Sequence, residues 1–232
     1  MEQTGGIFPV ALAGIFFIAA FASRSICILG FVERPLVIGF AWWLCTGEFS
    51  PALPLAIFFE LFWLDLFPIG GYIPPMGSFP YLVLLLLSAQ FGWTKPAVLA
   101  FPLAATLPLA YLIPYCESRQ RDYQKHASSR MIRQARKSMP MEGAPARQIL
   151  ASALQQFFIA AIIFILVYLV CYYIVSSGIL KSEPGIVPLD VDWPVLYSIA
   201  AIGSLLSLRI KRVYIVFSLC MAALLVTKLG IL

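Results

Sequence analysis

The sequence predicts an all-α integral membrane protein: a helical bundle that includes short, broken or re-entrant helices. Three observations carry this. Of 232 residues, 61% are hydrophobic and only 12% charged, with mean hydropathy +0.91; soluble domains are about a quarter charged. The apolar runs are long and lack the residue-by-residue alternation of barrel strands, which argues for helices. The basic residues are concentrated rather than dispersed. A net charge of +5 and a pI near 9.0 in a soluble chain would suggest nucleic acid. Here the clustering reads as membrane topology instead.

The elements follow in order. The first apolar run, Ile7 to Val32, is interrupted by Arg24 and closed by Glu33-Arg34-Pro35. It is too long for the apolar region of a cleaved signal peptide. The second, Leu36 to Thr46, stops at "TGEFSP", where Gly47 and Pro51 punctuate a turn. The third, Ala52 to Phe67, leads into "PIGGYIPPMGSFP"; the fourth is Tyr81 to Phe91 and the fifth Pro96 to Tyr115. Several of these cannot cross ~30 Å of hydrocarbon as a helix. Pro51, Pro54, Pro68, Pro74, Pro75, Pro80, Pro96, Pro102, Pro108 and Pro114 crowd the same region. Broken backbone is tolerated at membrane depth only where protein buries it or it lines a cavity. In transporters such segments point to the substrate site, so residues 36–91 read as the functional part.

Residues 117–147 hold eight of the sixteen Lys and Arg: Arg119, Arg121, Lys125, Arg130, Arg133, Arg136, Lys137 and Arg147. The positive-inside rule places this loop in the cytoplasm, with an amphipathic or interfacial helix in its first part. Ile149 to Val175 is a full-length span leading outward to an acidic loop. Val195 to Leu208 returns to Arg209, Lys211 and Arg212, and Tyr214 to Val226 leads out again. The organisation is therefore an N-terminal membrane half at 1–116 with the substrate-site segments, a basic cytoplasmic loop at 117–147 and a C-terminal membrane half at 148–232. The crossings before Lys95 and the side of the N-terminus stay open.

The candidate site lies in residues 53–75, "LPLAIFFELFWLDLFPIGGYIPP", where two carboxylates interrupt an apolar run. An ionised carboxylate at the bilayer centre costs several kcal/mol, so intramembrane acids are functional candidates. Glu60 either faces a polar cavity and accepts hydrogen bonds from a substrate, or is a structural acid paired with an Arg such as Arg24. Asp65 stands five residues on, about 140° around a regular helix; it serves a second environment or caps the backbone that follows. Glu48 is a turn residue or a polar wall. Gly70 and Gly71, with Pro74 and Pro75, make a bend whose backbone groups bind ligand or protein. Phe62, Trp63, Phe67 and Tyr72 are sugar-stacking platforms or ordinary core and lipid-facing aromatics. Gln90 is a further polar group in an apolar segment. His126, the one histidine, sits in the basic loop and reads as solvated. The five cysteines are scattered singly, without a metal-ligand spacing, and no phosphate loop or catalytic triad occurs. No metal or cofactor is expected. The chain contains no asparagine, so a polar site must use other groups.

The stretch "RPLVIGFAWWLCTGEFSPALPLAIFFELFWLDLFPIGGYIPPMG" resembles the membrane IIC component of mannose/fructose/sorbose-type sugar phosphotransferase systems. The matching residues are Arg34-Pro35-Leu36, Gly47-Glu48, Glu60 and Ile69-Gly70; "AFPLAA" at 100–105 and His126-Ala127 also fit. The resemblance covers residues 30–130, and the order and spacing of these modest motifs carry it. It implies a helical bundle with inverted repeats and re-entrant hairpins, in trimers of IIC–IID pairs. It further implies a IID-like membrane subunit, cytoplasmic IIA and IIB phosphocarriers, a chain not itself phosphorylated, and the bacterial cytoplasmic (inner) membrane. The sequence also departs from the family pattern. Aligned without gaps from Glu60, the family usually has Asn at Pro68, often Asp at Met76, a small residue at Asp65, and glycines where Phe58 and Phe59 stand. The expected function is a permease subunit that binds and translocates a hexose or related sugar, which cytoplasmic IIB then phosphorylates. The alternatives are a proton- or cation-coupled carrier, with Glu60 and Asp65 titrating, and a non-transporting scaffold with an altered pocket.

Overall fold

Proline and glycine set most of the helix boundaries. The structure, a computed structural model, describes residues 7–26, 31–64, 73–135, 144–178, 191–207 and 215. Its helices are α1 (Ile7–Ile26), α2 (Pro35–Thr46), α3 (Ala52–Phe62), α4 (Ser78–Phe91), α5 (Pro96–Thr106), α6 (Leu112–Ala135), α7 (Ala144–Ser176) and α8 (Trp193–Ser207). A 3-10 turn, Leu107–Tyr111, joins α5 to α6. Pro35 and Pro96 each stand at the start of a helix, where the missing N–H costs nothing and φ is already set. Gly47 ends α2 with φ +75° and returns its N–H to the Trp43 carbonyl at 2.7 Å. Pro102 lies inside α5 and Pro108 in the 3-10 turn. Each removes a backbone donor, which favours the local tightening seen there.

The predicted all-α class is what the described residues show, and the short segments are separate helices. The stretches Pro96–Asp122 and Ala153–Ser176 are long and apolar enough to cross a membrane, at 27 and 24 residues. α1 has 20 residues, of which Phe8–Ser23 form the apolar stretch; α2, α3, α4 and α8 have 11–15, so alone they do not bridge ~30 Å at ~1.5 Å per residue.

α4 is the centre of the packing. Every residue from Ser78 to Ser88 is buried. A helix apolar on all sides belongs inside, and α1, α2, α3, α5, α7 and the 3-10 turn all contact it. Phe17 of α1 stacks on Phe164 of α7 at 4.7 Å between ring centres, and Phe79 of α4 packs on both, at 5.6 and 6.1 Å. α2 and α3 form a tight hairpin. At its crossing, a Cβ on Gly39 would lie 2.6 Å from Ala56 Cβ and 2.9 Å from Tyr81 Oη. Tyr81 donates its buried hydroxyl to the Ala52 carbonyl at 3.2 Å, fastening the hairpin to α4. α3 also packs on α8, where Gly203 faces Phe62.

Along α7, Leu154, Phe158, Ile162, Ile165, Leu169 and Tyr173 are exposed. Such a continuous apolar stripe is at home in hydrocarbon or against protein rather than in water.

Several boundaries differ from expectation. α3 ends at Phe62 instead of Phe67, and α4 starts at Ser78, before Tyr81. The basic segment continues α6 as helix as far as Ala135. Arg209, Lys211, Arg212 and, apart from Ile215, the last pass Tyr214 to Val226 lie outside the described residues.

Candidate functional site

Four interruptions of helical structure meet at one place: the start of α2, the end of α3, residues 73–77 before α4, and the 3-10 turn. Met76 donates its N–H to the Ala110 carbonyl at 2.9 Å, joining the third to the fourth. The Trp63 ring packs edge-on against Tyr111 at 5.6 Å, joining the second to the fourth. Glu60 joins the second to the first. Phe79, at the start of α4, packs on Phe164, near the middle of the apolar stretch Ala153–Ser176. Irregular backbone beside such a span must be enclosed by protein.

Glu60 is held by two donors. Arg34 Nη1 lies 3.2 Å from Glu60 Oε1, and the Leu36 N–H reaches Oε2 at 3.4 Å. Both follow from local sequence. Arg34 is the N-cap of α2 in extended conformation and Pro35 has no N–H, so Leu36 carries the first free donor of the helix. Glu60 thus caps α2 from the neighbouring helix, at the end favourable to negative charge. Glu60 also lies in the last turn of its own helix, where the dipole opposes a carboxylate, and Arg34 opposes that effect. Arg34 at a helix start is equally ill-placed without an acid nearby. Each charge is tolerated because of the other.

Beside this pair is a small cleft of about 50 Å³, lined by Glu33, Arg34, Pro35, Phe59, Glu60, Trp63, Pro74, Pro75, Met76 and Gly77. That is room for a few waters, whereas pockets that enclose drug-sized ligands run to several hundred Å³. Phe59, fully buried, and Met76, 2% exposed, help to keep it narrow.

The other expected site residues are distributed unevenly. Glu48 is exposed at the hairpin tip, its N–H on Thr46 Oγ1 at 3.2 Å. It does not line the cleft, because the length of α2 separates tip from base. Asp65, Gly70 and Gly71 lie outside the described residues, as does Pro68. Arg24 is on α1, but its side chain is not among those described; the described partner of Glu60 is Arg34 instead. That pairing was missed, although an arginine capping a helix start already signals a nearby acid. Trp63 and Met76 both line the cleft.

The fold and this junction define a class: a helical membrane protein whose broken helices converge on a partly buried carboxylate. Residues 7–187 match the family described as the PTS system sorbose-specific IIC component, and the chain belongs to that family. It is thus a membrane component of a sugar-specific phosphotransferase system, working with other components of such a system. A solved structure titled "Structure of membrane protein" is similar over 97% of this chain and 92% of its own, with a TM-score of 0.64 and 17% identity. At that identity the likeness shows the fold alone. No curated protein matches the chain.

Proposed function

We propose that this chain is the sugar-translocating subunit of its system and that Glu60 is the carboxylate that receives the sugar. The observation that supports this most is the position of Glu60: at a helix-break junction, on a cleft, in a helix whose other residues are apolar. Sugar hydroxyls would donate to Glu60 and engage neighbouring polar or backbone groups, with Gly70, Gly71 and Asp65 on the segment that follows. The substrate class is a hexose or related sugar. It enters from outside, the helical units move relative to one another, and a cytoplasmic IIB protein phosphorylates it so that it cannot return. On this reading the basic segment at 117–147 faces the cytoplasm of a bacterium and docks the phosphocarrier or anionic lipid. A IID-like subunit and trimers of pairs complete the assembly.

The cleft is too small for a monosaccharide, so binding requires the hairpin base to open. The same smallness favours a second reading, a scaffold that binds no sugar. Uptake by the reconstituted complex separates them. Glu60→Gln and Glu60→Ala should both reduce it strongly; uptake unchanged by either overturns the site assignment. Flat sugar titrations of the wild-type complex support the scaffold.

A further inference from the structure

We infer that Trp63 determines sugar specificity at this site, donating its indole N–H to one hydroxyl oxygen of the bound sugar; this rests on the sugar-site reading of Glu60. Trp63 follows the last residue of α3 and lines the cleft that also holds Glu60 and Arg34. Its Nε1 is buried, with no hydrogen-bond partner among the described residues. A buried indole N–H ordinarily finds one.

The ring is fixed in place. It packs edge-on against Phe62 at 4.8 Å and Tyr111 at 5.6 Å, and its pyrrole edge lies over Gly77. A Cβ on Gly77 would come within 2.6 Å of Trp63 Cδ1 and 3.2 Å of Nε1, so glycine is what lets the indole lie there. Gly77 is itself a wall of the cleft. The next residue, Ser78, is fully buried and its hydroxyl also has no partner among the described residues. Two buried hydrogen-bonding groups, the Trp63 N–H and the Ser78 hydroxyl, therefore flank Gly77 without partners among the described residues.

The chemistry is complementary. Glu60 accepts from sugar hydroxyls, and a sugar also presents hydroxyl oxygens that need donors. The chain has no asparagine to supply one, and Arg34 already serves Glu60. A fixed, desolvated N–H discriminates well, because a ligand lacking the matching oxygen leaves it unpaired.

The test uses the full chain with its membrane partner, titrated with D-mannose, D-fructose and L-sorbose and followed by tryptophan fluorescence and calorimetry. Trp63→Phe keeps a ring and removes the N–H. It should weaken binding of the sugar that the wild type takes by about three- to tenfold, the usual range for one hydrogen bond. In the sugar-free protein it loses only the packing of the smaller ring and no hydrogen bond, so the fall in melting temperature there should be no larger than that of Trp63→Leu. One monodeoxy analogue of that sugar should lose the same factor against wild type and nothing against Trp63→Phe. Glu60→Gln is the separating arm. If Glu60→Gln leaves affinity unchanged, or none of the three sugars binds, the underlying site reading fails and the inference with it. If Glu60→Gln weakens binding while Trp63→Phe does not, the inference alone is overturned. Equal losses for every deoxy analogue, whatever the sugar-free melting temperature, assign Trp63 a packing role and also overturn it.

Discussion

Replacing Gly39 by alanine probes the hairpin on which the site is built. The added Cβ would stand 2.6 Å from Ala56 Cβ, 2.9 Å from Tyr81 Oη and 3.4 Å from the Ala52 carbonyl oxygen. Carbon atoms in good contact sit about 3.5–4.0 Å apart, so α2 and α3 must separate by roughly 1 Å. Neither Ala56 Cβ nor the Ala52 backbone can rotate away. Overpacking of this kind costs about 1–3 kcal/mol. Moving Tyr81 off the Ala52 carbonyl strands a buried hydroxyl for about 1–3 kcal/mol more. Against this, alanine is favoured over glycine within a helix by about 1 kcal/mol. The net expectation is a loss of about 1–5 kcal/mol, read as a lower melting temperature of the full chain in detergent. Tyr81→Phe added to Gly39→Ala should recover part of it, because the clashing oxygen is gone. A Gly39→Ala protein that melts at or above the wild type refutes the close crossing.

Other consequences follow from the junction. Arg34→Gln and Glu60→Gln should be non-additive in thermal unfolding, with a coupling of about 1 kcal/mol for a pair still partly solvated, at 32% and 20% side-chain exposure; additive losses count against a working ion pair. Phe59→Ala removes a fully buried ring from the cleft wall and should cost about 3–5 kcal/mol, and a loss under 1 kcal/mol would show that the wall collapses freely. Gly77→Ala pushes on the Trp63 ring and should lower both melting temperature and sugar affinity, while an unaltered Trp63 emission spectrum contradicts the contact.

Much of the architecture was legible because it depends on local chemistry. The α2 boundaries follow from Pro35 and Gly47, and the shortness of α2, α3 and α4 follows from run lengths against the bilayer. Glu60 was legible for a different reason: a carboxylate in "IFFELFW" is costly enough to demand a task. What was not legible depends on tertiary proximity. Arg34 and Glu60 are 26 residues apart in sequence, and their pairing exists only because α2 and α3 fold back into a hairpin. The end of α3 at Phe62 was also hidden, since "WLDLF" continues the apolar run and only Pro68 announces a break. Trp63 was one of four aromatics open to a stacking or a packing role, and Met76 stood where the family often has Asp; their place on the cleft wall is set by the meeting of segments distant in sequence.

The two roles of Glu60 meet on one carboxylate, whose two oxygens offer about four acceptor sites. At the junction it satisfies the Leu36 N–H and neutralises Arg34. The Leu36 N–H would otherwise be left in a region where unpaired donors are costly. On the proposed reading, a sugar hydroxyl takes the acceptor sites that Arg34 and the Leu36 N–H leave open on the same two oxygens. A cleft of about 50 Å³ does not hold a monosaccharide. The end of α3 and the start of α2 must therefore move apart to admit the sugar, while Glu60 stays in contact with both helices. A carboxylate that both caps one helix and receives the ligand couples occupancy to hairpin position directly, without a separate relay. Phe59 and Met76 strengthen that coupling, because while they fill the wall the site gains room only through movement of the hairpin base.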